Sequence, residues 1–376
     1  MRRFDRREVL AMLSGSLIAF RGLAGRAAQS TADRPWRDAI IINALGGLED
    51  PNPGATEPFS ARVLQDARAS GLTAVNVTVG YVSGDKDPFE VTVRDIARLD
   101  AQIRRADSSL LKVLTRADIL RARAVRRIGV IFGFQNAAML GEDASRVEIF
   151  ADLGVRVIQL TYNPANRLGD GSAAPGNRGL TPFGREVIEQ LNAHRVMVDL
   201  SHSGERTCLD AARASRRPVS INHTGCRALV DLPRNKTDEE LRLVATGGGF
   251  VGIYFMPFLS QTGHATAADV VAHIEHAVSV CGEDHVGIGT DGSVTPIDDL
   301  NAYMAVLAKE IETRRQAGIG AAGERPDTLP FVLDLRGIDQ FYELADLLQK
   351  RGYPSARIEK ILGGNFLRFA GEVWGA

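Results

Sequence analysis

The chain of 376 residues carries 45 Lys and Arg against 46 Asp and Glu, and 44% of it is hydrophobic. That balance argues against a nucleic-acid or other polyanion partner, and the apolar content is ample for a large core. Cys208, Cys226 and Cys281 show no CxxC spacing and no disulfide framework, and an odd number leaves at least one thiol unpaired.

The first residues, MRRFDRREVLAMLSGSLIAFRGLAGRAAQS, place Arg6-Arg7 just before an apolar run from Val9 to Phe20, with small residues following. This is the layout of an export signal of the twin-arginine kind over residues 1–28, implying a periplasmic or secreted protein. The run is too short and too interrupted by Arg21 and Arg26 for a comfortable membrane span.

Beyond it, apolar runs alternate with helical patterns. The runs are Ala39 to Leu45, Leu72 to Val79, Ile128 to Gln135, Val155 to Tyr162, Arg195 to His202, Pro218 to His223, Gly249 to Met256 and His285 to Asp291. Near-continuous apolar strands read as a parallel sheet buried on both faces. Eight of them predict an α/β fold, a (β/α)8 barrel over residues 29–376, as a single domain with closing helices from Gln340 onward. No Gly-x-Gly-x-x-Gly follows the first strand, which disfavours a doubly wound nucleotide-binding sheet.

A barrel carries its chemistry at the carboxyl ends of its strands. Two successive strands end in Ser201-His202 and Asn222-His223. Neighbouring imidazoles at parallel strand ends suit zinc. Asp291 is the candidate catalytic carboxylate, able to orient a water or take its proton, or else a capping residue for the Gly292-Ser293 turn. Tyr162 can donate to an oxyanion or pack as a rim aromatic. Arg234, read as opening a helix on the site side, can pair with a substrate carboxylate or sit solvated at the helix start. Asp199, a charge inside a strand, needs a partner and suggests support for the site. The Gly-rich loop Leu168 to Thr181 hints at a mobile lid, and Gly318 to Pro330 reads as a loop near the mouth. His273, His276 and His285 lie away from the strand ends and read as structural.

The stretches LGVRVIQLTYNPANRLGDG, GLTPFGREVIEQLN, VMVDLSH, INHTGCRALVDLPRNKTDEEL, GGGFVGIYFMPFL, DHVGIGTDG and ILGGNFLRF resemble the membrane (renal) dipeptidase family of zinc hydrolases. The resemblance implies a (β/α)8 barrel that cleaves dipeptides at a two-zinc centre. It implies that His202 and His223 bind one zinc, that Asp291 works beside the water, and that Arg234 holds the substrate carboxylate. The family's first-strand His-x-Asp pair corresponds here to Leu45 and Gly47, its bridging glutamate to Gln135, and a substrate-facing histidine to Tyr162. Leucine and glycine supply no side-chain donor, and a neutral amide bridges cations poorly. At most one zinc, on His202, His223 and Gln135, is therefore expected. Three outcomes follow: a one-zinc hydrolase of a dipeptide or small amide, a changed reaction on a related carboxylate-bearing substrate, or a non-hydrolytic binding protein. The resemblance leaves room for a homodimer.

Overall fold

The computed structural model describes residues 36–375, so the expected export signal at 1–28 lies outside the described residues. The strands are β1 (Ile41–Asn43), β2 (Leu72–Thr78), β3 (Leu110–Lys112), β4 (Ile128–Phe134), β5 (Val155–Gln159), β6 (Met197–Asp199), β7 (Ser220–Thr224), β8 (Phe250–Ile253) and β9 (Val286–Ile288). All pairings are parallel, in the order β1-β2-β4-β5-β6-β7-β8-β9. At the seam, Ala44 N donates to Ile288 O at 3.0 Å and Asp291 N to Leu45 O at 2.9 Å. The result is a nearly closed eight-stranded barrel with helices between the strands, as the sequence predicts. All eight expected runs contain a strand. The addition is β3, which pairs with the first half of β4 (Leu110 opposite Ile128) while β5 takes the second half.

The helices are α1 (Ala61–Ala69), α2 (Pro88–Arg105), α3 (Arg116–Ala124), α4 (Arg146–Asp152), α5 (Pro182–Ala193), α6 (Glu205–Ala214), α7 (Asp238–Thr246), α8 (Ala267–Cys281), α9 (Leu300–Gln316), α10 (Gln340–Lys350), α11 (Ser355–Glu359) and α12 (Asn365–Trp374). Local sequence sets their starts. Thr115 with Asp118, and Thr237 with Glu240, form reciprocal capping boxes, and Thr181 caps α5 with Pro182 in its first turn. On α12, Phe366 and Phe369 join the core beside Phe250, whose ring meets Phe366 edge-on at 5.2 Å. Truncating such a buried Phe to Ala costs about 3–5 kcal/mol. The C-terminal helix therefore helps to build the core.

Inside the barrel, buried amides hold up the rim. Asn43 donates to Thr290 Oγ1 and accepts from Thr290 N, both at 2.8 Å; Asn76 donates to Ala44 O at 2.8 Å; Gln159 donates to the carbonyls of Gln135 and Thr161 at 2.5 and 2.8 Å. These bonds fix the strand ends carrying Leu45, Gln135 and Asp291 from below.

Candidate functional site

The rim of β6 and β7 is built around one buried carboxylate. Asp199 Oδ1 accepts from Ser201 Oγ at 2.5 Å, Ser201 N at 3.0 Å and Asn222 N at 3.0 Å; Ser201 Oγ in turn accepts from His223 N at 3.1 Å. One side chain thus ties down the residues that precede His202 and His223. Burial raises the Asp199 pKa, and the hydrogen bonds from Ser201 and Asn222 work against that rise.

The two imidazoles converge, with His202 Nε2 at 2.9 Å from His223 Nε2. Tyr162 stacks on His202 at 4.4 Å between ring centroids. Burial first, then the Arg234 and Lys236 cations, hold both imidazoles well below their usual pKa, so they are neutral at pH 7. Their tautomers follow from their partners. Asn163 Nδ2 donates to Ile319 O at 2.9 Å, leaving its Oδ1 to accept from His202 Nδ1 at 2.8 Å. His202 Nε2 is then a bare acceptor. It takes an N–H from Arg234 Nη2 at 3.1 Å and the N–H of His223 Nε2. His223 Nδ1 is left buried without a partner.

This arrangement answers whether the residues fit a metal. Arg234 Nη2 lies 3.1 Å from the His202 nitrogen that a zinc would use, and the facing His223 nitrogen lies only 2.9 Å from it. Gln135, the expected third ligand, hydrogen-bonds Asp291. Among the described residues no group of three or more His, Cys, Asp or Glu is placed to hold an ion. The donor set as arranged does not fit the family's zinc centre.

Arg234 does not open a helix. It lies in the turn before α7, is only 2% exposed, and donates to Ser201 O at 2.5 Å as well as to His202. Among the described residues it has no ion-pair partner, and its charge reaches Asp291 and Tyr162 through space. It sits beneath the mouth rather than open in it. Next to it, Lys236 donates to Ser203 O and pairs with Glu240 at 3.1 Å, both side chains being 1% exposed.

The opposite rim, from β1, β4 and β9, is open. Leu45, Gly47, Gln135 and Asp291 line one cavity of about 240 Å³, and Glu49 lines it with them. A Cβ built on Gly47 would lie 1.9–2.0 Å from both Glu49 carboxyl oxygens, so that carboxyl fills the room a side chain at position 47 would need. Glu49 was not singled out in the sequence; its signal is a carboxylate two residues past a glycine where the resemblance implies an aspartate. Asp291 adopts φ 59°, a left-handed conformation rare outside glycine and common at functional turns. Burial pushes its carboxyl up to about 6, against the pull of Arg234 and the Gln135 hydrogen bond. The crowding of protein around the Glu49 carboxyl, with the Asp291 charge added, pushes it up to about 7, although the residue keeps an exposed face. Burial also raises the Tyr162 phenol. Tyr162 therefore remains a neutral donor.

Two loops complete the surroundings. The expected lid from Leu168 to Thr181 is stapled down: buried Asp170 accepts from Arg178 N at 2.6 Å and Arg178 Nη2 at 2.8 Å, and Ser172 N donates to His202 O at 2.7 Å. The segment from 318 to 330 has no helix or strand and reaches the site through the Ile319–Asn163 bond. His273, His276 and His285 bond Cys226 N, Asp238 and Gly249 O respectively, as structural histidines. All three cysteines are buried and free.

Comparison with known proteins agrees with this layout. The family model described as "Membrane dipeptidase (Peptidase family M19)" matches residues 60–319. An amidohydrolase from Pseudomonas aeruginosa is 32% identical, with a TM-score of 0.78 over 90% of this chain and 98% of that one. Dipeptidase tcpJ of Claviceps purpurea is 28% identical over 265 residues, which are 68% of this chain but only 53% of the fungal protein. A Rhodobacter sphaeroides metallopeptidase bound to a phosphinate mimic of L-Ala-D-Ala shares the fold, at 19% identity and a TM-score of 0.72 over 90% of this chain and 100% of that one. With the barrel, the paired strand-end histidines and a match over most of its length, the chain belongs to the membrane dipeptidase family, a family of metallopeptidases.

Proposed function

We propose that the mouth takes a small dipeptide-like or other carboxylate-bearing amide and processes it with carboxyl groups and fixed cations instead of the two-zinc centre. The observation that supports this most directly is the Arg234 hydrogen bond to His202 Nε2, 3.1 Å long, on the lone pair a zinc would need. In the reaction, Asp291 takes a proton from water as its oxygen bonds to the amide carbon. Glu49 gives its proton to the nitrogen as the C–N bond breaks. Two carboxyls whose pKa values are both raised toward neutrality suit proton transfer to and from the amide. Tyr162 donates toward the carbonyl oxygen, and the buried Arg234 charge draws the substrate carboxylate to the floor of the mouth. That relatives are named as an amidohydrolase and a dipeptidase supports an amide as the substrate class.

The convergence of the two imidazoles at 2.9 Å favours a second reading. If Arg234 turns away and His223 changes tautomer, the pair can hold a single zinc. Elemental analysis and a dipeptide-hydrolysis assay with and without chelator separate the two. Hydrolysis by metal-free protein supports the carboxyl reading, and activity that follows one tightly bound zinc replaces it with the one-zinc hydrolase. No hydrolysis in either state leaves a binding protein.

Export through the twin-arginine route is part of the same proposal, motivated by Arg6-Arg7 ahead of the apolar run. Among the described residues no helix is long and apolar enough to cross a membrane. Changing Arg6 and Arg7 to Lys strands unprocessed precursor in the cytoplasm; unchanged processing rejects this route. A homodimer belongs to the proposal only as an expectation, checked by light scattering.

A further inference from the structure

Beside the cavity at Asp291 lies a larger chamber of about 500 Å³, which Glu49 and Asp291 also line. Its walls include Phe255, Ile297, Tyr303 and Phe331, and Arg336 lies among them, with Asp339 and Glu343 on the same lining. The Arg336 guanidinium carbon lies 5.0 Å from the Phe331 ring centroid, and Phe331 packs on Tyr303 at 5.7 Å. Among the described residues, Arg336 makes no hydrogen bond and no ion pair. Arg234 contrasts with it, being buried and bonded to Ser201 O and His202. A half-buried guanidinium stacked on an aromatic face and lacking a carboxylate is a ready receptor for an anion. The aromatic wall beside it accepts an apolar body between that anion and the carboxyl pair. Phe331 and Arg336 lie beyond the stretch matched by the family model, residues 60–319.

We infer that Arg336 and Phe331 form an outer subsite for an acidic group carried on an aromatic or bulky apolar side chain of the substrate. The preferred ligand is then an amide with two acidic ends, one drawn inward toward Arg234 and the other held at Arg336. This rests on the reading of the mouth as an amide site.

The test uses non-cleavable ketomethylene isosteres of two dipeptides, phenylalanyl-glycine and 4-carboxyphenylalanyl-glycine, which differ by one carboxylate. Binding to the full mature protein is measured by calorimetry at low salt. The carboxylated probe is expected to bind at least about tenfold tighter, a typical gain from one charge-assisted hydrogen-bond pair. Arg336→Gln should erase that difference. Phe331→Leu should weaken both. Equal affinities in the natural protein, or a preference that survives Arg336→Gln, overturn the outer subsite while the mouth reading stands. Failure of both probes to bind overturns the subsite and the mouth reading together.

Discussion

The two halves of the barrel mouth keep different things. On β6 and β7 the polar residues are buried and interlocked: Asp199 holds Ser201 and Asn222, Asn163 fixes the His202 tautomer, and Arg234 and Lys236 sit beneath with defined partners. On β1, β4 and β9 the same rim is a cavity, where Leu45 and Gly47 offer no donor and Glu49 swings its carboxyl over Gly47. The histidine half is rigid because its polar residues support one another, and removing one exposes buried polar groups. The open half has few such bonds, so a substitution there disturbs less of the fold.

The largest expected effect breaks the interlocked half. Lys236→Met removes the partner of Glu240 while that carboxylate stays buried. Losing one member of a buried pair costs about 3–5 kcal/mol, measured by chemical denaturation. Adding Glu240→Gln should recover most of it. If Lys236→Met costs no more than an exposed substitution, the rigid-half description fails.

Next in size is the loss of chemistry from the open half. Asp291→Asn and Glu49→Gln should each lower kcat on a hydrolysed dipeptide by about 10²-fold or more, the scale of a single general acid or base. KM should change little. The double variant should be scarcely worse than either single one, because the carboxyls work as a pair. Additive losses would mean that Glu49 acts elsewhere.

Much of this was legible in the chain itself. Strands buried on both faces must be apolar throughout, so eight runs announced the barrel. Strand-end polar residues announced the rim. The short β3, Leu110–Lys112, escaped because its ladder covers only half of β4 and its run is too brief to stand out. Arg234 was read onto a helix start, whereas α7 begins at Asp238 and the arginine faces inward from the turn. The stapling of the 168–181 loop depends on buried Asp170, and nothing in a Gly-rich sequence tells a folded loop from a mobile one. Glu49 was missed for a related reason. An acidic residue in a glycine turn carries no sign of where it points, and only the space over Gly47 reveals it.

A smaller effect concerns pH. The Asp291 and Glu49 carboxyls are raised from 3.8 and 4.5 to about 6 and about 7, so between roughly pH 4 and 7 the folded protein binds more protons than the unfolded chain. Stability from these groups is present at low pH and is lost as pH rises through their folded values. Glu49→Gln with Asp291→Asn should therefore stabilise the protein more at pH 8 than at pH 5. Comparing the two proteins cancels the opposite contribution of the buried imidazoles, read as the shift in denaturant midpoint at each pH. A gain that is larger at pH 5 would show that the carboxyls are not held up in the folded protein.

The smallest effect, and the one that most sharpens the comparison, is an attempted repair. Gln135→Glu restores the charge of the bridging position between the two halves. It should bring zinc to His202 and His223 about tenfold more tightly, because a carboxylate can pair with Arg234 and draw it from His202, and supplies a charged ligand where the amide supplied a weak one. Two things hold the gain down. The new carboxylate joins Glu49 and Asp291 around one cavity, so part of its charge is neutralised by proton uptake. Arg234 must also give up His202 Nε2 before an ion can bind there. A second ion should not follow, since Leu45 and Gly47 still face the cavity without donors. Zinc titration of both proteins with elemental analysis after gel filtration decides the matter. One ion in the variant and less than one in the natural protein is the expected result. Two tightly held ions in the natural protein would mean that the open half still builds a metal centre, with Glu49 among its ligands, and that the contrast between the halves is one of ligand identity alone.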